Sequence, residues 1–538
     1  MRWIDGVLAA AVAIGLAACG PERDNASAAV PGPVVIAAVG EPASILPPLA
    51  VETVARDIGD LVYQRLADLE PGKPPIDPAA YRPGLAERWE RVDSLTWRFH
   101  LAPGARWADG EPVTAEDVRF SFDAFSDSVL DAVARPVLAG RVRVVVEDPH
   151  TFLMRFRETY PEQLYDATYH VRILPRHIWD RVPRATWAAD TVISRLVGSG
   201  PYRVREWKRG QYLALEARDP TASQGRPRTL VWRFAQDPDA ALNLVLAHEA
   251  DLMELAAVPQ GLRRVEADTA FRLVRYPSAA YGFLGFNLAD SRGRPHPVLG
   301  DRATRRALVM AVDRTALARS AVDSSAVPPP GPMSRLLWIW SDRIRTLPFD
   351  PAAAARALDA AGWRRGAGGV RHLGGRALTF DILVPSTSSV RRQLAVELQA
   401  MWAEVGAKVT VTSVDFPVFQ ERLGRRRFDS YIGAWLDEPS PRGLADQWTR
   451  AGWDALNYGH YANPVFDSLF SRASALADPA AARATYEEAM DTLNADAPAV
   501  FLYTPTNAAA VSRRIGNGEI DPYSWLSGIA DWRVGRSP

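Results

Sequence analysis

The chain has 538 residues, of which 47% are apolar, 9% aromatic and 23% charged, which excludes a disordered chain and exceeds what one hydrophobic core can organise. Its 63 basic and 63 acidic residues cancel, which argues against a nucleic-acid partner, since duplex binding calls for a basic excess to displace counterions. Only Lys73, Lys208 and Lys408 are lysines, so a cluster such as Arg425, Arg426 and Arg427 reflects an arginine-rich composition and reads as a solvated helix end.

From the amino end, Arg2 precedes an apolar stretch from Gly6 to Ala18. That stretch is too short to span a bilayer, and residues 1–18 read as a signal peptide. It ends in Leu16-Ala17-Ala18-Cys19-Gly20, which resembles the bacterial lipobox, where small residues precede a cysteine that becomes the lipid-linked amino terminus. Cys19 is the single cysteine, so no internal disulfide can form and lipidation is the expected fate of its thiol. Residues 19–32, rich in Ala, Pro and Gly, read as a tether. No later segment is long and charge-free enough to span a membrane. The expectation is a folded body outside the cytoplasm, held at a membrane through Cys19.

The body opens with a strand-like run, Val34 to Val39. Thr114, with Asp117 three residues on, predicts the start of a helix over Ala115–Phe125. Asp350, Pro351 and Gly362 bracket a second helix, with cap, first-turn proline and terminal glycine in their preferred places. From Leu378 to Trp435 the pattern is strand (LTFDILV), helix (VRRQLAVELQAMWAEVG), strand (KVTVTSV), short helix (FPVFQERLG) and strand (FDSYIGAW). That order predicts parallel strands with right-handed crossovers, and ligands of such sheets bind beyond the carboxyl ends of the strands. The segments there are Pro385–Ser388 and Trp435–Glu438, which makes Ser386, Trp435, Asp437 and Glu438 the candidate ligand-binding residues.

Catalytic and metal patterns fail. His248-Glu249 begins an HExxH motif, but Leu252 occupies the second histidine position. The histidines show no ligand spacing, and Gly198-Ser199-Gly200 lacks the surrounding residues of a nucleophile elbow, a dinucleotide loop or a phosphate loop. No catalytic residue, metal or cofactor is expected. In YIGAWLDEPSPRG, the adjacent Asp437 and Glu438 point to opposite faces of an extended chain, which suits a catalytic carboxylate pair badly. A solvated acidic turn stopped by Pro439 and a ligand contact by one of the two acids both remain open, and Trp435 reads equally as a core aromatic at a strand end.

Four segments carry a resemblance. They are PGLAERWERVDSLTWRFHLAPGARWADGEPVTAEDVRFSFD (Pro83 to Asp123), GSGPYRVREWKRGQYLALEARDP (Gly198 to Pro220), YGFLGFNLADS with DRATRRALVMAVDR, and NYGHYANPVFDSLF. In this order they resemble the family 5 extracellular solute-binding proteins, the oligopeptide, dipeptide and nickel receptors of bacterial ABC importers. The resemblance implies an α/β, two-lobed periplasmic-binding-protein-like fold with an additional inserted α+β domain. Lobe I would be discontinuous, from residues 33–76, 194–285 and 500–538, with the inserted domain at 77–193 and lobe III at 286–499. The implied function is capture of a ligand, a peptide first of all, between the lobes of a monomer, and delivery to the permease's transmembrane subunits without making or breaking a bond. A sensor or chaperone without a transporter, and a secreted lipoprotein hydrolase, are the alternatives. In peptide-binding members, the strand matching FDSYIGAW supplies a Trp, and an Asp three residues later pairs with the ligand's α-ammonium group. Counted from Trp435 that position is Glu438, with Asp437 one residue early and a shortened loop, Pro439-Ser440-Pro441, after it. The departure leaves room for another cation-bearing or a neutral ligand.

Overall fold

The computed structural model describes residues 32–535 except 220–224, 256–258, 291, 323–324 and 517. The expected signal peptide, the lipidation site Cys19 and all but the last residue of the tether lie outside the described residues.

The β-α-β-α-β reading holds. Strands Thr379–Pro385, Lys408–Val414 and Ser430–Leu436 alternate with helices Ser389–Glu404 and Phe416–Gly424. The first strand lies between the other two and is parallel to both. Ser388 caps the long helix by accepting the Arg391 N–H, and Leu394, Leu398 and Trp402 bury its core face. Two antiparallel strands, Ala280–Phe286 and Ala499–Tyr503, complete a five-stranded sheet.

The second large sheet has seven strands and draws on distant parts of the chain. Val34–Val39 runs parallel to Thr229–Ala235 near its centre. Thr506–Ser512, from the carboxyl end, pairs antiparallel with both Leu252–Leu255 and Phe271–Pro277. Helix Thr53–Val62 buries Ile58, Leu61 and Val62 in the same core as Trp207, Trp232 and Trp525. A separate four-stranded antiparallel sheet is built from Ala86–Asp93, Thr96–Leu101, Thr151–Phe156 and Val142–Asp148. Helix Ala115–Phe125 lies beside it and carries the expected capping box between Thr114 and Asp117. Helix Pro351–Ala360 likewise starts where expected, with Asp350 accepting the Ala353 N–H at 2.7 Å.

The boundary of lobe I needs correction. Residues 280–285 and 500–503 were expected in lobe I, yet strands Ala280–Phe286 and Ala499–Tyr503 pair with each other, and the former with Ser430–Leu436, in the five-stranded sheet. The chain therefore crosses between the sheets at Ser278–Ala279 and returns at Thr504–Pro505. These crossings lie side by side, with the Ser278 N–H donating to the Pro505 carbonyl at 3.3 Å. The reason is that YGFLGF and AVFLY are apolar throughout and buried on both faces. Such a run announces burial without saying in which sheet.

Candidate ligand-binding cleft

A cavity of about 610 Å³ lies beyond the carboxyl end of strand Ser430–Leu436. Glu438 and Pro439 form one wall, and Asp57, Asp60 and Tyr63 at the end of helix Thr53–Val62 form another. Tyr169 and Arg172, with Asp521 and Tyr523 of the carboxyl-terminal segment, complete it. The helix is fixed from behind by Gly198-Ser199-Gly200. A β-carbon on Gly198 would sit 1.8 Å from the Val62 carbonyl oxygen, and the Gly200 N–H donates to that same oxygen at 2.8 Å. That triad is thus a close-packing device for this wall.

The two adjacent acids part company, as extended backbone requires. Glu438 is exposed and faces the cavity. Asp437 is 8% exposed and turned inward, where its Oδ2 accepts the Ser334 N–H at 2.6 Å and its own N–H donates to the Ala279 carbonyl at 2.7 Å. Burial pushes its carboxyl up to about 7, opposed by the Ser334 hydrogen bonding. Trp435 is half-buried and stacks on Tyr458 with ring centroids 6.2 Å apart, beside a small pocket that includes Tyr431 and Trp448. Ser386 orders its own loop. Its hydroxyl donates to Asp415 at 3.1 Å, its N–H donates to the Val414 carbonyl at 2.7 Å, and its carbonyl accepts from the Arg392 guanidinium. Of the four candidates, only Glu438 is on the wall of the large cavity.

The loop after Glu438 is clamped to the domain of the four-stranded sheet. Arg442 places Nη2 2.5 Å from Asp166 Oδ1 and its Nε against Glu162, and its guanidinium lies 5.4 Å from the Tyr160 ring centroid. Ser440 adds a hydroxyl bond of 2.5 Å to Glu162. Both carboxylates are buried, and Arg442 supplies charge to both, while Asp166 also accepts the Tyr160 hydroxyl at 2.7 Å and has His170 at 3.3 Å. On the opposite wall, burial alone would raise the Asp60 carboxyl, but Arg172 at 2.5 Å and Arg65 at 3.3 Å outweigh it and hold it down at about 2.

Sequence reasoning missed Asp57, Asp60, Tyr63, Arg172, Tyr523 and Arg442. A faint signal existed: Asp57 and Asp60 sit three apart on a helix whose other face is apolar, and residues at that spacing share a face. Among the described residues, no group of three or more His, Cys, Asp or Glu side chains could hold a metal ion. None of their helices is long and apolar enough to cross a membrane.

Residues 80–456 match the family described as bacterial extracellular solute-binding proteins, family 5. Protein XP55 of Streptomyces lividans is 30% identical over 502 residues, covering 92% of this chain and 88% of that protein. The oligopeptide-binding protein AppA of Bacillus subtilis is 24% identical, over 97% of this chain and 96% of its own length. Its solved structure in complex with a nonapeptide aligns with a TM-score of 0.72 at 23% identity, over 94% of this chain and 99% of that one. The ABC transporter substrate-binding protein CtaP of Listeria monocytogenes gives a TM-score of 0.80 at 21% identity, again over 94% and 99%. These likenesses establish the fold as α/β and two-lobed, of the periplasmic-binding-protein type, with an additional domain.

Proposed function

The chain belongs to the bacterial extracellular solute-binding proteins of family 5, and from that premise we propose that it captures a peptide in the cleft between its lobes and hands it to the permease of an ABC importer. It makes and breaks no bond, works as a monomer, and stays at a membrane through lipidated Cys19. The observation that carries this reading is the cavity of about 610 Å³ with Glu438 exposed on its wall. Its size falls within the roughly 300–1,000 Å³ of ligand sites.

Glu438 is the residue for the peptide's amino terminus. Its carboxylate faces the cavity, whereas that of Asp437 is turned into the protein against Ser334. A carboxylate that meets an ammonium group in a cleft from which water is excluded gives a charge-assisted hydrogen bond, stronger than a neutral one. Closure follows from differential affinity: the ligand favours whichever arrangement lets both walls touch it, and the Arg442 clamp holds the Glu438 loop against the opposite domain in that arrangement. The test is calorimetric titration of peptides into protein that has been unfolded and refolded to remove co-purified ligand. Saturable binding of short peptides supports the reading, and no heat with any peptide pool defeats it.

A further inference from the structure

The charge on the cavity wall is unevenly spent. Arg65 is paired with Asp60 and Asp68, Arg172 with Asp60, and Arg82 with Glu70. Asp57 and Asp521 have no ion-pair partner among the described residues, although both line the cavity and Asp57 is 5% exposed. Asp57 accepts one hydrogen bond, from the Trp525 indole N–H at 3.1 Å, and Asp521 accepts the Tyr523 N–H at 2.8 Å. Those bonds position the carboxylates without supplying positive charge. Arg56, the next residue back along the helix, also lines the cavity and attracts Asp57 at longer range, but it is exposed and forms no ion pair among the described residues.

A second, independent observation falls on the same wall. The hydroxyl of Tyr63 is buried, at 1% exposure for the residue, and has no hydrogen-bond partner among the described residues; the hydroxyl of Tyr523 is likewise buried and without a partner among them. Both tyrosines line the cavity beside the unpaired acids. A buried hydroxyl with nothing to bond costs free energy, and here two of them flank carboxylates that lack a cation. A single ligand group satisfies both deficits if it is positively charged and rich in N–H donors.

We propose that Asp57 and Asp521, with the Tyr63 and Tyr523 hydroxyls, form a second cation-binding pole, so that the cleft selects peptides carrying a lysine or arginine side chain. This rests on the peptide-binding reading above, with Glu438 taking the amino terminus and the lobe I wall taking the basic side chain. Burial disfavours the charged form of both carboxyls, and Glu254 and Asp60 add to it at Asp57, beyond what Arg56 offsets there and Arg65 offsets at Asp521. An entering cation stabilises the charged form that a neutral side chain leaves disfavoured.

The experiment is calorimetric titration of the stripped protein with matched tripeptides that differ only in one side chain: lysine, norleucine or glutamate. The wild type is expected to bind the lysine peptide at least tenfold tighter than the norleucine peptide, and the glutamate peptide weakest. Asp57→Asn and Asp521→Asn, which keep an acceptor for Trp525 and for the turn, should reduce the lysine-to-norleucine ratio to twofold or less. Tyr63→Phe should weaken the lysine peptide severalfold, and it serves as the probe of this wall should Asp57→Asn fail to refold. Equal wild-type binding of the lysine and norleucine peptides overturns the second pole alone, as does a ratio preserved in all three variants. Absence of binding by every peptide overturns both readings.

Discussion

Arg442 Nη2 lies 2.5 Å from Asp166 Oδ1, although the two residues are 276 positions apart. With Glu162 and Ser440 they join the loop that follows Glu438 to the domain of the four-stranded sheet. The contact fixes where the Glu438 backbone sits relative to the opposite wall, and so sets the width of the cleft.

Removing that cation should be costly. Arg442→Ala takes the guanidinium from two buried carboxylates, leaving Glu162 with Ser440 and Asp166 with Tyr160 and His170, and is expected to lower unfolding stability by about 3 kcal/mol, the usual cost of breaking a buried ion pair. Arg442→Lys should recover less than half, because one ammonium group cannot match a fork that meets two carboxylates. Denaturant unfolding of the three proteins checks this; an unchanged midpoint for Arg442→Ala would remove the clamp from the account.

Asp437 makes stability pH-dependent with a definite sign. Its carboxyl in the folded protein lies at about 7, above the usual 3.8, because it is buried. The folded state therefore holds a proton that the unfolded chain has released. Stability from this group is complete below about pH 4 and is lost as pH rises through 7. Between pH 5 and pH 8 the loss should be about 2–3 kcal/mol. Asp437→Asn should be more stable than wild type at pH 8, with the gap narrowing at pH 5. Thermal unfolding across that range gives the answer, and parallel curves would mean the carboxylate is not the cause.

The proposed lipid anchor has a single point of attachment. Cys19 is the only thiol in the chain, so Cys19→Ala should move the protein from the membrane fraction to the soluble fraction without altering ligand affinity. Equal fractionation of the two proteins would count against a lipid at this position.

What the sequence made legible was local. The capping box at Thr114, the Asp350 cap and the strand-helix alternation from Leu378 to Trp435 depend on neighbours a few residues apart, and all appear as expected. The candidate rim was drawn too wide. Ser386 and Trp435 do stand at strand ends, but the loop folds Ser386 onto Asp415, and Tyr458 takes the face of Trp435. The lobe I wall was invisible because Asp57 and Tyr63 meet Asp521 and Tyr523 only through packing of opposite ends of the chain. The Arg442 clamp was invisible for the same reason. The crossing at Ser278 was misplaced because an all-apolar strand carries no mark of which sheet it joins.

The proposed contact between Glu438 and a peptide's amino terminus is tested by titrating one peptide, in free and N-acetylated forms, into the stripped protein. The free amine should bind at least tenfold tighter in the wild type. In Glu438→Gln that advantage should collapse, while Asp437→Asn, compared at pH 7, should keep it. Equal affinity for the two forms in the wild type, or an advantage that survives Glu438→Gln, would contradict it.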